Sequence, residues 1–322
     1  MTGYPESLTD PSYKGQILVC TYPLIGNYGV PPKTSENKLM KFFESEKIHV
    51  SGLVVANYSE KYSHWNAEES LGEWLNKSKI PGLTGIDTRA LTQKLREKGV
   101  MLGKIIFSKD IKIEDPNKRN LVDEVSCKKP IVYENGKTKV LLIDCGVKYS
   151  IIRSLLKRNC SVIRVPWDYD FSRIDYHGIF ISNGPGDPKM CKATITYLKK
   201  ALMQKIPVFG ICLGNQILAL AIGADTYKLK YGHRSQNQPC INLSTKRCYI
   251  TSQNHGFAVD AKTIPSGWNE LFQNANDGTN EGLIHKSGLY MSVQFHPEAC
   301  PGPIDTEYLF DEFVDKIRKN KI

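Results

Sequence analysis

From Lys139 onward, continuous apolar runs alternate with runs that are apolar on one face only. KVLLIDCG reads as a buried strand ending in glycine, and YSIIRSLLKRN as an amphipathic helix. SVIRVP is a strand. GIFISNGPGDP is a strand running into a Gly/Pro loop, ATITYLKKALMQ a helix, IPVFGI a strand and LGNQILALAIGA an apolar helix. YMSVQF is a further strand. Strands alternating with helices of this length imply a parallel, doubly wound sheet with right-handed crossovers. Ligands in such sheets bind at the carboxyl ends of the strands.

The first part of the chain has a different rhythm. QILVCTYPLIG and HVSGLVVANY read as strands. NAEESLGEWLNKS has helical spacing, with Ala67, Leu71 and Trp74 on one face. DTRALTQKLREKG opens on Asp87 as an N-cap and closes on Gly99 as a C-cap. Residues 109–137 are charged and weakly periodic and read as a linker with some extended structure. The expected class is therefore α/β, with a smaller α+β domain at 1–108, a linker at 109–137 and a mostly parallel α/β domain at 138–322.

With 322 residues the chain has room for about two domains. It contains no apolar run long enough to span a bilayer and no secretory start, so no membrane association is expected. Lys and Arg number 43 against 33 Asp and Glu, a formal charge of +10. That charge is spread out apart from short clusters such as the C-terminal KIRKNKI, with no interleaved aromatics and no zinc-finger pattern. Nucleic acid is not an expected partner. The nine cysteines are irregularly spaced and include no CxxC, which fits a reducing, intracellular compartment. Most of them read as small hydrophobes or surface thiols.

One cysteine stands apart. Cys212 lies in G-x-C-x-G, between a strand and a helix. Flanking glycines permit the sharp turn of a nucleophile elbow, and a helix N-terminus adds partial positive charge there. The bland reading is core filler. A nucleophile needs a base: His296 follows an apolar strand in SVQFHPE, and Glu298 stands two residues on, placed to orient the imidazole. Acyl transfer also needs oxyanion donors. The loop SNGPGDP offers the bare N–H of Gly184, and Leu213 follows the nucleophile. Of the other histidines, His233 and His255 fall in polar loops. No metal site is expected, and no P-loop is present.

In that order and spacing, SNGPGDP, FGICLGNQ and SVQFHPE resemble the class I (triad) glutamine amidotransferases. TGYPESLTDPSYKGQILVCTYPLIGNYG, GIDTRALTQKLREKG, TSQNHGFAVD and FHPEACPGPIDTEYLFDEF narrow the resemblance to the small, glutaminase subunits of carbamoyl-phosphate synthetase, over essentially the whole chain. The resemblance implies that Cys212 attacks the side-chain amide of glutamine, His296 activates the thiol and Glu298 holds His296. It implies oxyanion N–H groups at Gly184 and Leu213, and glutamine contacts from Ser12, Gly184, Gly186, Leu213, Gln216, Asn254, Gly256 and Phe257. It further implies release of ammonia through a tunnel to a synthetase large subunit or domain, which would use ATP, Mg and bicarbonate, with no cofactor in this chain. Arginine/urea and pyrimidine biosynthesis are both open.

The chain departs from the family pattern in places. Asn215 replaces the usual histidine of GICLGHQ and reads as a lineage mark leaning toward the arginine/urea type. Ser235 replaces a usual glycine and is expected to strain a turn. The family carries a further stretch ahead of TGYPE, so the start is expected to be truncated, which leaves a sheet edge unpaired and the compartment, cytoplasmic or mitochondrial, open. Two other readings remain: a stand-alone γ-glutamyl hydrolase, and a truncated, non-catalytic partner or regulator of a synthetase.

Overall fold

In the computed structural model residues 3–320 are described; Lys321 and Ile322 of the basic C-terminal cluster lie outside them, as do Met1 and Thr2. The chain divides into two units, Met1–Leu121 and Val122–Ile322.

In the first unit the elements run α1 (Tyr4–Thr9), β1 (Ile17–Ile25), a small hairpin of β2 (Ser35–Glu36) and β3 (Leu39–Met40), β4 (Gly52–Tyr58), α2 (Leu71–Lys77), β5 (Gly82–Leu83) and α3 (Thr88–Lys98). Three strands form a parallel sheet in the order β1–β4–β5. Leu8, Ile25, Phe43, Leu53, Val55 and Trp74 pack into its core. Asp87 caps α3 by accepting from Ala90 N–H, and Gly99 ends it at φ 89°. The periodicity at 66–78 overreaches. Ser70 and Glu73 form a reciprocal capping box that starts α2 at Leu71, so Ala67 lies outside the helix.

The second unit holds α4 (Leu121–Val125) at its edge, then β6 (Ile131–Tyr133), β7 (Thr138–Asp144), α5 (Tyr149–Lys157), β8 (Cys160–Pro166), β9 (Gly178–Ile181), α6 (Lys192–Ala201), β10 (Val208–Ile211) and α7 (Leu213–Ala221). After these come β11 (Thr226–Asn242), β12 (Cys248–Val259), β13 (Trp268–Asn274), β14 (Asn280–His285), β15 (Tyr290–Val293) and α8 (Tyr308–Asn320). Ten strands form one mixed sheet, β12–β11–β13–β14–β15–β10–β9–β7–β8–β6. Its centre, β15–β10–β9–β7–β8, is parallel. Antiparallel strands extend both sides. The segment 109–137 is shared between the units: β6 pairs with β8 at the sheet edge, and the Cys127 N–H donates to Asp144.

The central strands are buried on both faces, which is why they read as continuous apolar runs. Alternate residues serve opposite layers. Leu141, Ile143, Ile179, Ile181 and Val208 pack with Leu198, Leu213, Ile217 and Leu218 of α6 and α7. Phe180 and Phe209 turn the other way, onto Phe310 and Phe313 of α8. Arg158 at the end of α5 ties that layer together by pairing with Asp311, 2.8 Å away. Each such apolar side chain contributes about 1.5–3 kcal/mol by leaving water. The carboxyl ends of the parallel strands open into the loops that lead to these helices.

Candidate active site

Adjacent strands of the parallel centre deliver the chemically capable groups at their carboxyl ends. β10 runs into Cys212, β15 into His296 and Glu298, β9 into Gly184, and β7 into Lys148. Cys212 has φ 55° and ψ −103°, a conformation that costs a non-glycine residue about 1–3 kcal/mol. It is the N-cap position of α7, and its N–H donates to the Val293 carbonyl at 2.8 Å. Both flanking glycines are required by contact. A Cβ on Gly210 would meet the Gly214 carbonyl, and a Cβ on Gly214 the Ile181 carbonyl. The turn holds the thiol at one place, 3.8 Å from the Asn254 carbonyl, in a site that leaves Cys212 only 2% exposed.

His296 is fixed by its backbone, whose N–H donates to Ser252 at 2.9 Å, and by its side chain, whose Nδ1 lies 2.6 Å from Glu298 Oε1. Its Nε2 is buried and meets no nitrogen or oxygen partner. The Cys212 sulfur is close enough to act on that ring. Burial disfavours the imidazolium, but the Glu298 carboxylate and the Cys212 sulfur outweigh it and hold the ring far above the usual range, at about 10. Burial likewise disfavours the Glu298 carboxylate. The ammonium of Lys148, 3.1 Å away, and His296 reverse that and hold it at about 2. Lys148 also donates to the Ala299 carbonyl. The cysteine, histidine and glutamate thus lie in an order that could serve as nucleophile, base and orienting acid, with a buried lysine behind the glutamate.

The other expected residues distribute as follows. A Cβ on Gly184 would run into the Cys145 carbonyl and approach the Leu213 side chain, so the Gly184 backbone lies against the start of α7. Leu213 is the first residue of α7, so its N–H is one of the first-turn donors that have no partner within the helix. Gly186 turns the loop at φ 89°. Gln216 on α7 donates through Nε2 to the Phe257 carbonyl at 2.8 Å, tying the helix to β12. Asn254 and Gly256 lie on the same stretch of β12, and the Asn254 Nδ2 is buried without a partner. Ser12 belongs to the first unit, where it lies in the 3-10 turn Pro11–Tyr13 capped by Asp10.

Sequence reasoning missed Lys148. Its only signal is its place, just past the aspartate that ends a buried strand. It also missed a buried amide cluster. Asn215 donates to Gln294 at 3.2 Å and accepts from Ser292 at 2.8 Å, so it pins α7 to the strand that carries His296. Two expectations are corrected. His233 and His255 are not in loops: they sit opposite one another on β11 and β12. Ser235 lies in β11 outside the positive-φ residues and accepts from Gln238, so it strains no turn.

Residues 141–316 match the family "Glutamine amidotransferase class-I", and residues 1–105 match "Carbamoyl-phosphate synthase small chain, CPSase domain". The chain is 50% identical to the carbamoyl phosphate synthase arginine-specific small chain of Aspergillus fumigatus, covering all of this chain and 74% of that one. It is 54% identical, over its full length, to the multifunctional protein CAD of Squalus acanthias, and 49% identical over 99% of its length to the multifunctional protein pyr-3 of Neurospora crassa. It spans only 15% and 20% of those two proteins. A solved structure from Thermoplasma acidophilum superposes on 57% of this chain and 96% of its own, with a TM-score of 0.52 at 21% identity, which marks a shared fold. The two family matches divide the chain as its two units do, and with half-identity to a small chain over most of that chain's length they place this protein in the carbamoyl-phosphate synthase small chain family, with a class I glutamine amidotransferase domain as its second half.

Proposed function

We propose that the chain is the glutamine-hydrolysing component of a carbamoyl-phosphate synthetase. The observation that carries this reading is the strained turn at Cys212, which presents its sulfur to a histidine already oriented by a buried, ionised glutamate.

In this mechanism the Cys212 sulfur attacks the carbon of the glutamine side-chain amide while His296 holds the thiol proton. Negative charge on the amide oxygen develops between the N–H groups of Gly184 and Leu213. His296 passes its proton to the leaving nitrogen, the C–N bond breaks and ammonia departs, leaving a glutamyl thioester. Water then attacks the thioester, His296 takes its proton, and glutamate leaves as the thiol is restored. Gln216, Asn254, Gly256 and Phe257 hold the amino-acid end, with Gly186 as a further contact. Ammonia passes to a large subunit or fused domain that uses ATP, Mg and bicarbonate, within arginine/urea or pyrimidine synthesis. Among the described residues no helix is long and apolar enough to cross a membrane.

The test is glutamate release from glutamine, with and without a carbamoyl-phosphate synthetase large subunit. This reading predicts turnover that the large subunit accelerates. Full turnover alone, with γ-glutamyl peptides accepted as well as glutamine, would identify a stand-alone hydrolase. No turnover in either arm would identify a non-catalytic partner.

A further inference from the structure

A second cluster of chemically capable side chains lies in the antiparallel extension of the sheet. His233 on β11, His255 on β12 and Glu281 on β14 are all buried. The register sets His233 directly opposite His255. One potential ligand atom from each residue lies within 4.8 Å of the other two. His233 Nδ1 is 3.2 Å from Glu281 Oε1, and His255 Nε2 is 3.9 Å from the same oxygen. Gln253 Oε1 comes within 3.0 Å of His255 Nε2. The outward nitrogens are anchored: His233 Nε2 lies 2.9 Å from Asp277 Oδ2, and His255 Nδ1 lies 2.8 Å from the Phe257 carbonyl.

Glu281 is already supplied with donors, Asn274 Nδ2 to Oε1 at 3.3 Å and Gln253 Nε2 to Oε2 at 3.0 Å, so the shortage of donors falls on the His255 side. Once His255 gives Nδ1–H to Phe257, its neutral ring turns a lone pair toward two oxygens, Gln253 Oε1 and Glu281 Oε1. Turning the Gln253 amide over supplies a donor to His255. The same turn sets the amide oxygen against Glu281 Oε2, to which Gln253 now donates at 3.0 Å. A proton on His233 Nδ1 fills the gap to Glu281 and leaves the His255 side unfilled. A second imidazolium at His255 would stand against the first, with ring centroids only 4.8 Å apart. A single positive centre among the three inward-facing atoms resolves all of these conflicts.

We propose that His233 Nδ1, His255 Nε2 and Glu281 Oε1 bind one divalent transition-metal ion of the zinc class, with Gln253 Oε1 or a water as fourth donor. Two imidazoles and a carboxylate form a donor set that zinc accepts. The outer partners are those that metal-bound histidines require, a carboxylate behind one ring and a backbone carbonyl behind the other, and they fix each tautomer with its lone pair inward. The ion replaces the proton between His233 and Glu281. Asp277, with its side chain 44% exposed, marks the side from which it enters. The Phe257 carbonyl that holds His255 also accepts from Gln216, so a bound ion stiffens the stretch of β12 beside Cys212.

The experiment is calorimetric titration of the chelator-stripped full chain with Zn2+, followed by the absorption spectrum of the Co2+-loaded protein. One Zn2+ per chain is expected. Binding is retained by Cys212→Ala and weakened at least about tenfold by His233→Asn and Glu281→Gln, each checked for native fold by circular dichroism. The Co2+ spectrum, read on the wild type, is expected to lack a sulfur-to-metal charge-transfer band. The absence of saturable Zn2+ binding by the wild type would overturn the proposal. Loss of binding in Cys212→Ala, or a sulfur-to-cobalt band, would overturn it equally by placing the ion on the catalytic thiol.

Discussion

The Lys148 ammonium lies 3.1 Å from Glu298 Oε1, and the two side chains are 4% and 0% exposed. The lysine leaves the turn after β7, three strands along the sheet from β15, which leads to Glu298. It keeps the glutamate ionised, and an ionised glutamate 2.6 Å from His296 Nδ1 holds that ring's tautomer. Replacing Lys148 by methionine strands a buried carboxylate, and breaking a buried pair in this way costs about 3–5 kcal/mol. We expect Lys148→Met to lower both unfolding stability and kcat for glutamine hydrolysis, with a smaller change in KM. Adding Glu298→Gln to it should return part of the stability and none of the activity, as measured by denaturant unfolding beside steady-state kinetics.

The same groups set a pH window. The His296 pKa is raised from 6.5 to about 10 in the fold, so its contribution to stability is fully present below 6.5 and lost as pH rises through about 10. Glu298 is depressed from 4.5 to about 2, so its contribution is present above 4.5 and lost as pH falls through about 2. The stability difference between wild type and a His296→Asn, Glu298→Gln double variant should therefore be largest between pH 4.5 and 6.5. Melting temperatures across the pH range check this, and a difference that grows steadily toward alkaline pH would contradict it.

Gly214 is needed for a reason of contact alone. Its φ is not in the left-handed region, yet a Cβ would run into the Ile181 carbonyl. Gly214→Ala should cost about 1–3 kcal/mol through overpacking and shift the start of α7 away from Cys212. We expect kcat to fall with it. Gly223→Ala offers the comparison: nothing lies within 4 Å of its added Cβ, so only the strain of φ 95° remains and activity should be spared.

Much of this arrangement is legible in the chain. The parallel centre is legible because strands buried on both faces become uninterrupted apolar runs, as in β9 and β10. The turn at Cys212 is legible because two glycines and a strand-to-helix switch leave few alternatives. The antiparallel extension is not. β11 is half-exposed and interrupted by bulges, so TYKLKYGHRSQNQPCIN reads as polar loop, and the approach of His233 to Glu281 is hidden by 48 residues of intervening chain. Lys148 is invisible for the same reason, since its partner lies 150 positions on. The start of α2 shows the limit of periodicity, because a capping box at Ser70 overrides an apolar residue at 67.

Asn215 gives a test of packing separate from chemistry. Its Oδ1 accepts from Ser292 and its Nδ2 donates to Gln294, all within the core. Ser292→Ala leaves the Asn215 oxygen buried without that donor and should cost about 1–3 kcal/mol. The rate of glutamine hydrolysis below the melting range should change much less, since the Ser292 hydroxyl bonds to Asn215 rather than to the triad. A large loss of kcat at unchanged stability would place the amide cluster in the chemistry.

The central claim is that Cys212 is the nucleophile, and glutamate release by Cys212→Ala tests it most directly. The account predicts that the variant folds with wild-type circular dichroism and loses more than about a thousandfold in glutamine hydrolysis, in the presence of the large subunit as in its absence. Glutamine hydrolysis by Cys212→Ala at a rate near that of the wild type would contradict it.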